Sequence, residues 1–306
     1  MLHKIPGRGR SFSKQWQDDI TGYLFLLPSL TGFIAFIGMP VVMSLLLSFT
    51  QWDLVSGFQG IKFIGLDNFK QMATDEWFIS SLRNNLFYTG MLVPVALGLG
   101  LYFASILNDK VWMKQILRTV FFMPYVSNIV AVSVVWMALF HPTRGPINYL
   151  LHLLGMANPP LWLASDKWAL TAITIIEIWI NIGYNMVIYL AALQGVPKEL
   201  YEASEIDGAT GFKRFWQITF PLLSPTTFFL LITGIINSFK VFGQVNIITQ
   251  GGPGTATTVL VYYMYTAAFR FYKMGYAAAL AWVLFIMIFA ITIIQWRGQK
   301  KWVNYM

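Results

Sequence analysis

Two ionisable side chains, Glu177 and Lys240, interrupt stretches of this 306-residue sequence that are otherwise long and apolar. Charges are costly to bury, so such groups usually pair with each other or face a water-filled interior. Each lies about eight residues from the predicted outer end of its stretch, which at roughly 1.5 Å per helical residue is about 12 Å deep. We therefore expect the two groups to pair, either as a structural ion pair or at the border of an internal cavity.

Hydrogen-bonding residues accompany both charges. Asn181 and Tyr184 follow Glu177 at spacings of four and seven residues, which places the three side chains on one helical face. The polar residues near Lys240 are Asn237, Ser238 and Gln244. Polar groups that meet hydroxyls, together with aromatic faces such as those of Tyr184 and Phe242, are what binding of a sugar requires. Hydrogen bonding between helices explains the same polar residues without any ligand.

Catalytic and metal-binding patterns are missing from the sequence. Residues 208–213 have neither the glycine spacing of a phosphate-binding P-loop nor a Ser or Thr after the lysine, and no HExxH or GxSxG motif occurs. The sequence contains no cysteine, and its three histidines are widely dispersed. We predict that the chain is not an enzyme, has no catalytic or metal site and binds no cofactor itself.

The elements that must position these residues are membrane spans. The sequence is 57% hydrophobic and only 11% charged, which is typical of an integral membrane protein. Its net charge of +8 comes from scattered basic residues, which argues against binding of nucleic acid. Six stretches are long enough to cross a bilayer as helices, and they lie near 22–49, 86–107, 118–140, 169–194, 221–248 and 275–296. The sequence thus predicts an all-α polytopic membrane protein with six transmembrane helices, some of them kinked at prolines.

The distribution of lysine and arginine predicts the orientation of these spans. Alternate loops carry 13 basic residues on one side and 7 on the other, and the richer side is usually cytoplasmic. We therefore expect a cytoplasmic N-terminal segment (1–21), a transmembrane domain (22–296) and a cytoplasmic tail (297–306). The first span is longer than the apolar region of a signal peptide, so we expect it to be retained.

A compact polar segment, residues 195–220, separates the fourth and fifth spans. A proline and several acidic residues favour a short helix near its start, and Gly208 is a natural stop. The pattern predicts a helix, a glycine break and a second helix. Leu200, Ala203 and Ile206 fall along one side of the first helix, where they form a surface for docking to another protein.

The order and spacing of residues in this segment resemble the EAA loop of ATP-binding-cassette (ABC) importer permeases. The corresponding positions are Glu202, Ala203, Ser204, Asp207, Gly208, Ala209, Ile218 and Pro221. Ser204 replaces the usual second alanine, and Phe220 replaces the usual leucine. Motifs along nearly the whole chain are similar to those of the carbohydrate-uptake class, which includes glycerol-3-phosphate, lactose and maltose subunits: Leu26-Leu27-Pro28-Ser29, Phe63-Ile64-Gly65-Leu66-Asp67-Asn68-Phe69, Gly251-Gly252-Pro253-Gly254 and Met274-Gly275-Tyr276-Ala277.

The resemblance implies the fold and the partners of a type I ABC importer permease in a bacterial or archaeal inner membrane. A second, homologous permease subunit would complete a heterodimer within the lipid, and a solute-binding protein would deliver a small-molecule sugar from outside. The EAA loop would act as a coupling helix on a dimeric cytoplasmic ATPase, which would bind ATP and Mg. The substrate pathway is then expected to include Glu177, Asn181, Tyr184, Asn237, Ser238, Lys240 and Gln244.

Three alternatives remain open from the sequence. An ABC permease for a non-sugar solute such as glycerol 3-phosphate is the main one, because only Tyr184 keeps an evident match to the sugar-contacting positions of maltose-type subunits. A secondary transporter shares the hydrophobicity and the buried Glu177, but it gives no reason for the segment 202–221. A membrane-embedded enzyme would require clustered catalytic residues.

Overall fold

A computed structural model describes residues 12–108, 112–209 and 211–304, which are mainly helical. A two-stranded antiparallel sheet pairs β1 (Thr50–Gln51) with β2 (Lys62–Phe63). The α-helices of the described residues are α1 (Phe12–Phe33), α2 (Met39–Ser48), α3 (Asp67–Met72), α4 (Glu76–Asn108), α5 (Lys114–Val126), α6 (Ile129–Leu139), α7 (Pro146–Leu153), α8 (Ala169–Gln194), α9 (Lys198–Ile206), α10 (Gly211–Arg214), α11 (Phe220–Leu222), α12 (Ser224–Phe239), α13 (Gly243–Ile248), α14 (Leu260–Phe269) and α15 (Met274–Gly298).

Five helical segments of the described chain are long and apolar enough to cross a membrane, and a bent pair of helices raises the number to six. The prediction of an all-α membrane protein is therefore confirmed. The five segments are Asp19–Ser48, Glu76–Asn108, Ala169–Gln194, Ser224–Ile248 and Met274–Lys301. The second of them starts ten residues before the apolar stretch near 86–107, because its first turns are polar but helical.

The bent pair corrects the predicted third span. The sequence predicted one helix over 118–140, whereas α5 and α6 meet at an angle of 97°. Ser127 is extended, and the side chain of Asn128 accepts a hydrogen bond from the backbone N–H of Val130 at 2.8 Å. Asn128 therefore caps the start of a new helix, and the preceding helix cannot continue through it.

Proline widens the helix in two places. π-helical segments cover Ile34–Gly38 and Phe215–Thr219, and each ends two residues before a proline, Pro40 or Pro221. Proline has no N–H to donate, and its ring crowds the carbonyl of the preceding turn, which disfavours regular α-helical geometry there. The first span is thus irregular near Pro40, whereas α4 runs without a break through Pro94.

The centre of the molecule is the contact between α4 and α8, where a glycine permits close approach. A Cβ atom added at Gly100 would lie 2.5 Å from the Cβ of Asn185. On the other side of α8, a Cβ added at Gly183 would lie 1.8 Å from the carbonyl oxygen of Phe121 on α5. Since real Cβ atoms do not approach so closely, glycine is required at both contacts.

A carboxylate joins three elements at the end of α4 that is predicted to face outside. Asp75 accepts hydrogen bonds from the hydroxyls of Tyr263 on α14 and Tyr276 on α15 and from the backbone N–H of Trp77. Burial is the larger cause, and the hydrogen bond to Asp75 the next, of a raised pKa of the Tyr263 hydroxyl. The hydroxyl therefore keeps its proton and remains a donor. This junction fixes α14 and α15 against the start of α4.

Candidate functional site

The fifth span is interrupted beside its charged residue. Helix α12 ends at Phe239, and α13 begins at Gly243 after three residues outside helical geometry. The backbone N–H of Lys240 still bonds to the carbonyl of Asn237 at 3.1 Å, so Lys240 lies at the C-terminal end of α12. The predicted span over 221–248 is thus two helices in succession.

Polar side chains of α4 hold this interruption in place. Asn85 donates to the carbonyl of Ser238 at 3.4 Å and accepts from the backbone N–H of Leu260 at 2.7 Å. Thr89 and Ser238 exchange a hydrogen bond between their hydroxyls at 2.8 Å. These bonds satisfy groups near a broken helix that would otherwise be costly to bury. Sequence reasoning missed Asn85 and Thr89, although their spacing of four residues indicates one polar helical face.

A cavity of about 280 Å³ lies between α4, α5, α8 and the broken α12–α13 span. All seven residues predicted for the substrate pathway line it, which brings together residues of two distant segments: Glu177, Asn181, Tyr184, Asn237, Ser238, Lys240 and Gln244. The cavity is also lined by polar residues that sequence reasoning missed, namely Tyr88, Tyr125, Asn185 and Thr233. The predicted set therefore lines two walls of a common space, one on α8 and one on the α12–α13 span.

The carboxyl group of Glu177 is buried at this wall, with 7% of the residue exposed. Its Oε2 accepts a hydrogen bond from Nδ2 of Asn181 at 3.2 Å, one helical turn away. The same amide also donates to the carbonyl oxygen of Glu177 at 2.8 Å. Oε1 has no hydrogen-bond partner among the residues that the structure describes.

The predicted pairing of Glu177 with Lys240 is wrong. Within the described residues, no carboxylate oxygen lies within 4.0 Å of the Lys240 amine, and the side chain of Lys240 is exposed. The physical reason is that the chain leaves the helix at Lys240, while Glu177 stays in the middle of α8 and bonds to Asn181. A cation and a carboxyl group therefore line one cavity without neutralising each other.

Aromatic rings supply the apolar part of the cavity wall. The rings of Tyr125 and Tyr184 stack with centroids 4.7 Å apart and planes inclined by 17°. Phe242 lines the cavity from the interrupted span and stacks on Tyr262 at 6.3 Å. Flat rings beside hydrogen-bonding groups suit a ligand that has both C–H faces and hydroxyls.

The polar segment between α8 and α12 folds as predicted, as a helix, a glycine break and a second helix. Helix α9 ends at Ile206, and Gly208 then has a φ of +73°, which favours glycine. The carboxylate of Glu205 pairs with Arg214 at 2.7 Å, and the Arg214 guanidinium lies 5.6 Å from the ring centre of Tyr201. These contacts of Arg214 hold α9 and α10 against each other.

The residues predicted for coupling divide into an outer and an inner set. Glu202, Ala203, Asp207 and Gly208 are exposed. Ser204 and Ala209 are buried, and the backbone N–H of Ala209 bonds to the carbonyl of Ser204 at 2.8 Å. Ile218 and Pro221 are partly buried where the segment returns to α12.

An apolar tip completes the exposed surface of this segment. Ile206 is 88% exposed, Phe212 is 78% exposed and Leu200 is 41% exposed. Large apolar side chains are rarely left so open in a polar segment unless another surface covers them. The segment thus carries an exposed apolar surface at its tip.

Comparisons with known proteins show the family to which this chain belongs. The family model described as "Binding-protein-dependent transport system inner membrane component" matches residues 96–299. The chain is 38% identical over 302 residues to the probable ABC transporter permease protein YesP of Bacillus subtilis, covering 97% of this chain and 95% of that relative. It is 34% identical over 289 residues to the sn-glycerol-3-phosphate transport system permease protein UgpA of Agrobacterium fabrum, covering 94% and 97%. It is 33% identical over 298 residues to the lactose transport system permease protein LacF of Rhizobium radiobacter, covering 95% and 98%.

A solved structure shares the fold. A chain of a bacterial ABC transporter involved in the import of the acidic polysaccharide alginate superposes with a TM-score of 0.80 at 23% identity, covering 96% of this chain and 100% of that chain. Given the family match and relatives above 30% identity along nearly its whole length, this chain belongs to the binding-protein-dependent transport system inner membrane components, the permease subunits of ABC importers.

Proposed function

We propose that this chain forms half of the translocation pathway of a sugar importer and that a separate ATPase drives it through the segment 198–221. The main support for this proposal is a cavity between the two helices that this segment joins. Hydrogen-bonding and aromatic side chains line that cavity. Those helices are α8 and α12. A segment that moves as a unit would therefore act directly on both walls of the cavity.

Energy would reach the cavity from outside this subunit. The sequence has no nucleotide-binding motif, so ATP and Mg would be bound by a dimeric cytoplasmic ATPase. The exposed tip at Ile206 and Phe212 would fit a cleft of that ATPase. Closure of the ATPase dimer would shift α9 as a rigid body and so alternate the access of the cavity between the two membrane faces.

The other partners follow from exposed surface and from the relatives. The first span has no buried residue in its most apolar window, and Phe25 and Phe36 are 82% and 83% exposed. A second, homologous permease subunit and membrane lipid would cover that surface. A solute-binding protein would dock outside, as in the related alginate transporter, whose structure was solved with a periplasmic protein. The counts of basic residues support an inner-membrane position with both termini in the cytoplasm.

Lys240 favours a second candidate cargo, glycerol 3-phosphate. Lys240 lines the cavity, and no carboxylate of the described residues lies within 4.0 Å of its amine, so its charge is available to an anion. The relative UgpA is named for transport of sn-glycerol 3-phosphate, and LacF is named for lactose. A sugar remains our proposal, because the stacked tyrosines and the amide groups offer more surface than so small a solute would fill.

Coupling is tested by Ile206→Asp in the complete transporter, isolated with its partners from native membranes and reconstituted in liposomes. A charge at the tip should abolish ATP-driven uptake, because burying an unpaired carboxylate in an apolar cleft is costly. Trp112→Asp makes a comparable change at another residue that is 86% exposed, in a different loop on the side predicted to be cytoplasmic, and should retain uptake. Full ATP-driven uptake by Ile206→Asp would refute the coupling role.

The cargo is tested with the same liposomes and a panel of radiolabelled mono-, di- and trisaccharides together with sn-glycerol 3-phosphate. ATP-dependent accumulation of a saccharide supports the proposal. Accumulation of sn-glycerol 3-phosphate alone would replace it with the second candidate, and uptake without ATP would contradict both.

A further inference from the structure

The last residues that the structure describes contact the start of the fifth span. We propose that this C-terminal turn, residues 299–304, positions the coupling segment, residues 198–221, by holding the first turn of α12 against the end of α15. The inference rests on the proposed role of the segment 198–221 in coupling. It assigns a role in coupling to a part of the chain that lies outside that segment.

Two contacts hold the C-terminal turn on α12. A 3₁₀ turn over Gln299–Lys301 leads the chain out of α15. The backbone N–H of Asn304 then donates to Oγ of Ser224 at 2.9 Å. The ring of Trp302 packs edge-on against that of Phe228, with centroids 6.0 Å apart. Because Ser224 and Phe228 are four residues apart, both contacts are made with one face of α12.

Ser224 joins the C-terminal turn to the coupling segment. The residue is only 1% exposed. Its hydroxyl accepts the bond from Asn304 and donates to the carbonyl of Pro221, the last residue of the coupling segment, at 2.6 Å. A hydroxyl has one proton to donate and lone pairs with which to accept, so both bonds form together. A single buried side chain therefore links the two segments.

The joint between the coupling segment and α12 needs such support. The π-helical stretch Phe215–Thr219 precedes it, and Pro221 and Pro225 supply no N–H to the helix. A joint of this kind bends more easily than a regular helix, and bending would absorb a displacement of the coupling segment. The C-terminal turn opposes that bending because it ties the first turn of α12 to a second span.

The sixth span gives the C-terminal turn a firm base. Near the start of α15, Tyr276 donates to Asp75 at the beginning of α4. Further along, Leu284 belongs to the same apolar cluster as Phe239 at the end of α12. The two spans are thus packed together, and one of them is held at its far end. When the coupling segment moves, α12 and α15 would therefore tilt together about their outer ends.

Access to the cavity is the readout, and the absence of cysteine from this chain allows it to be followed at one introduced thiol. Lys240→Cys places that thiol at an exposed residue that lines the cavity. The variant is studied in the complete transporter, reconstituted in liposomes. Its rate of labelling by a small, charged methanethiosulfonate reagent, followed by the mass of this subunit, should change when ATP and Mg are added.

Two pairs of variants are compared on this background. Asn304→Pro removes the N–H that bonds to Ser224, whereas Asn304→Ala keeps it. Trp302→Ala removes the ring that contacts Phe228, whereas Trp296→Ala removes a ring that is 62% exposed at the same end of α15. Each lost contact should reduce the ATP-dependent change in labelling rate about fivefold, a typical contribution of one hydrogen bond or aromatic pair. The two controls should retain that change.

ATP hydrolysis and Tm, measured on the same samples, separate positioning from stability. In Asn304→Pro and Trp302→Ala both quantities should stay near those of the controls while the labelling response is lost. A full labelling response in either variant would overturn the inference. A fall in hydrolysis or Tm in proportion to the labelling response would overturn it as well, because the turn would then act on stability alone. If Lys240→Cys itself shows no response to ATP, the proposed function fails, and this inference fails with it.

Discussion

Replacing Gly100 with alanine should disturb the contact on which the cavity is built. The new Cβ would lie 2.5 Å from the Cβ of Asn185, about 1 Å closer than ordinary contact, and also 3.1 Å from the backbone nitrogen of Met186. Neither atom can rotate away, because one is attached to the backbone and the other belongs to it. Helices α4 and α8 must therefore separate, and Asn185 is itself part of the cavity wall.

The size of the effect follows from two opposing terms. Overpacking in a close-packed core typically costs about 1–3 kcal/mol, whereas replacing glycine with alanine inside a helix gains about 0.5–1 kcal/mol. We therefore expect Gly100→Ala to lose about 1–2 kcal/mol and to lower the Tm by roughly 2–6 °C. Uptake should fall as well, since the wall at Asn185 is displaced.

Gly98→Ala is the matched control, because a Cβ added there, two residues away on the same helix, has no atom of the other described residues within 4 Å beyond the backbone of its own helix. Thermal unfolding of the purified complex in detergent is measured for both variants, followed by uptake in liposomes. Gly98→Ala should match or slightly exceed the wild type in Tm. Equal Tm values for the two variants would refute the packing argument.

Two further predictions concern the polar contacts of α4. Asp75→Ala removes the acceptor shared by two tyrosine hydroxyls and should lower the Tm by an amount corresponding to about 2–3 kcal/mol, whereas Glu76→Gln, at an exposed neighbour, should not. Asn85→Leu leaves the Leu260 N–H without its acceptor and removes one donor to the Ser238 carbonyl beside the break in the fifth span, so uptake and Tm should both fall. A wild-type Tm and wild-type uptake in Asn85→Leu would contradict this account.

Features that depend on neighbouring residues in the chain were predictable from the sequence. The spans follow from runs of apolar residues, and the short helix α9 follows from acidic residues before Gly208. The shared face of Glu177, Asn181 and Tyr184 follows from helical periodicity alone, and all three residues do line one cavity.

Features that depend on tertiary contacts were not predictable. The sequence predicted how deep Glu177 and Lys240 lie in the membrane but not which way each side chain points. Two groups at the same depth need not face each other. Lys240 also lies where helix α12 ends, and that ending depends on bonds from α4 about 150 residues earlier in the chain. The bend at Asn128 likewise requires the next helix to pack in a new direction.

The position of the coupling segment in the chain suggests how motion would reach the solute. Helix α8 carries Glu177 and ends at Gln194, and only three residues separate it from the start of α9. Because this connection is short, a displacement of α9 would also move α8. The fifth span differs, because it is interrupted between α12 and α13, and a Cβ added at Gly243 of α13 would lie 2.6 Å from Cδ1 of Ile129 on α6. Its outer part is thus held by α6, while α12 begins immediately after the coupling segment. In the mechanism we propose, movement at α9 therefore changes the position of α8 relative to the outer wall of the cavity, and so changes the side of the membrane to which the cavity opens.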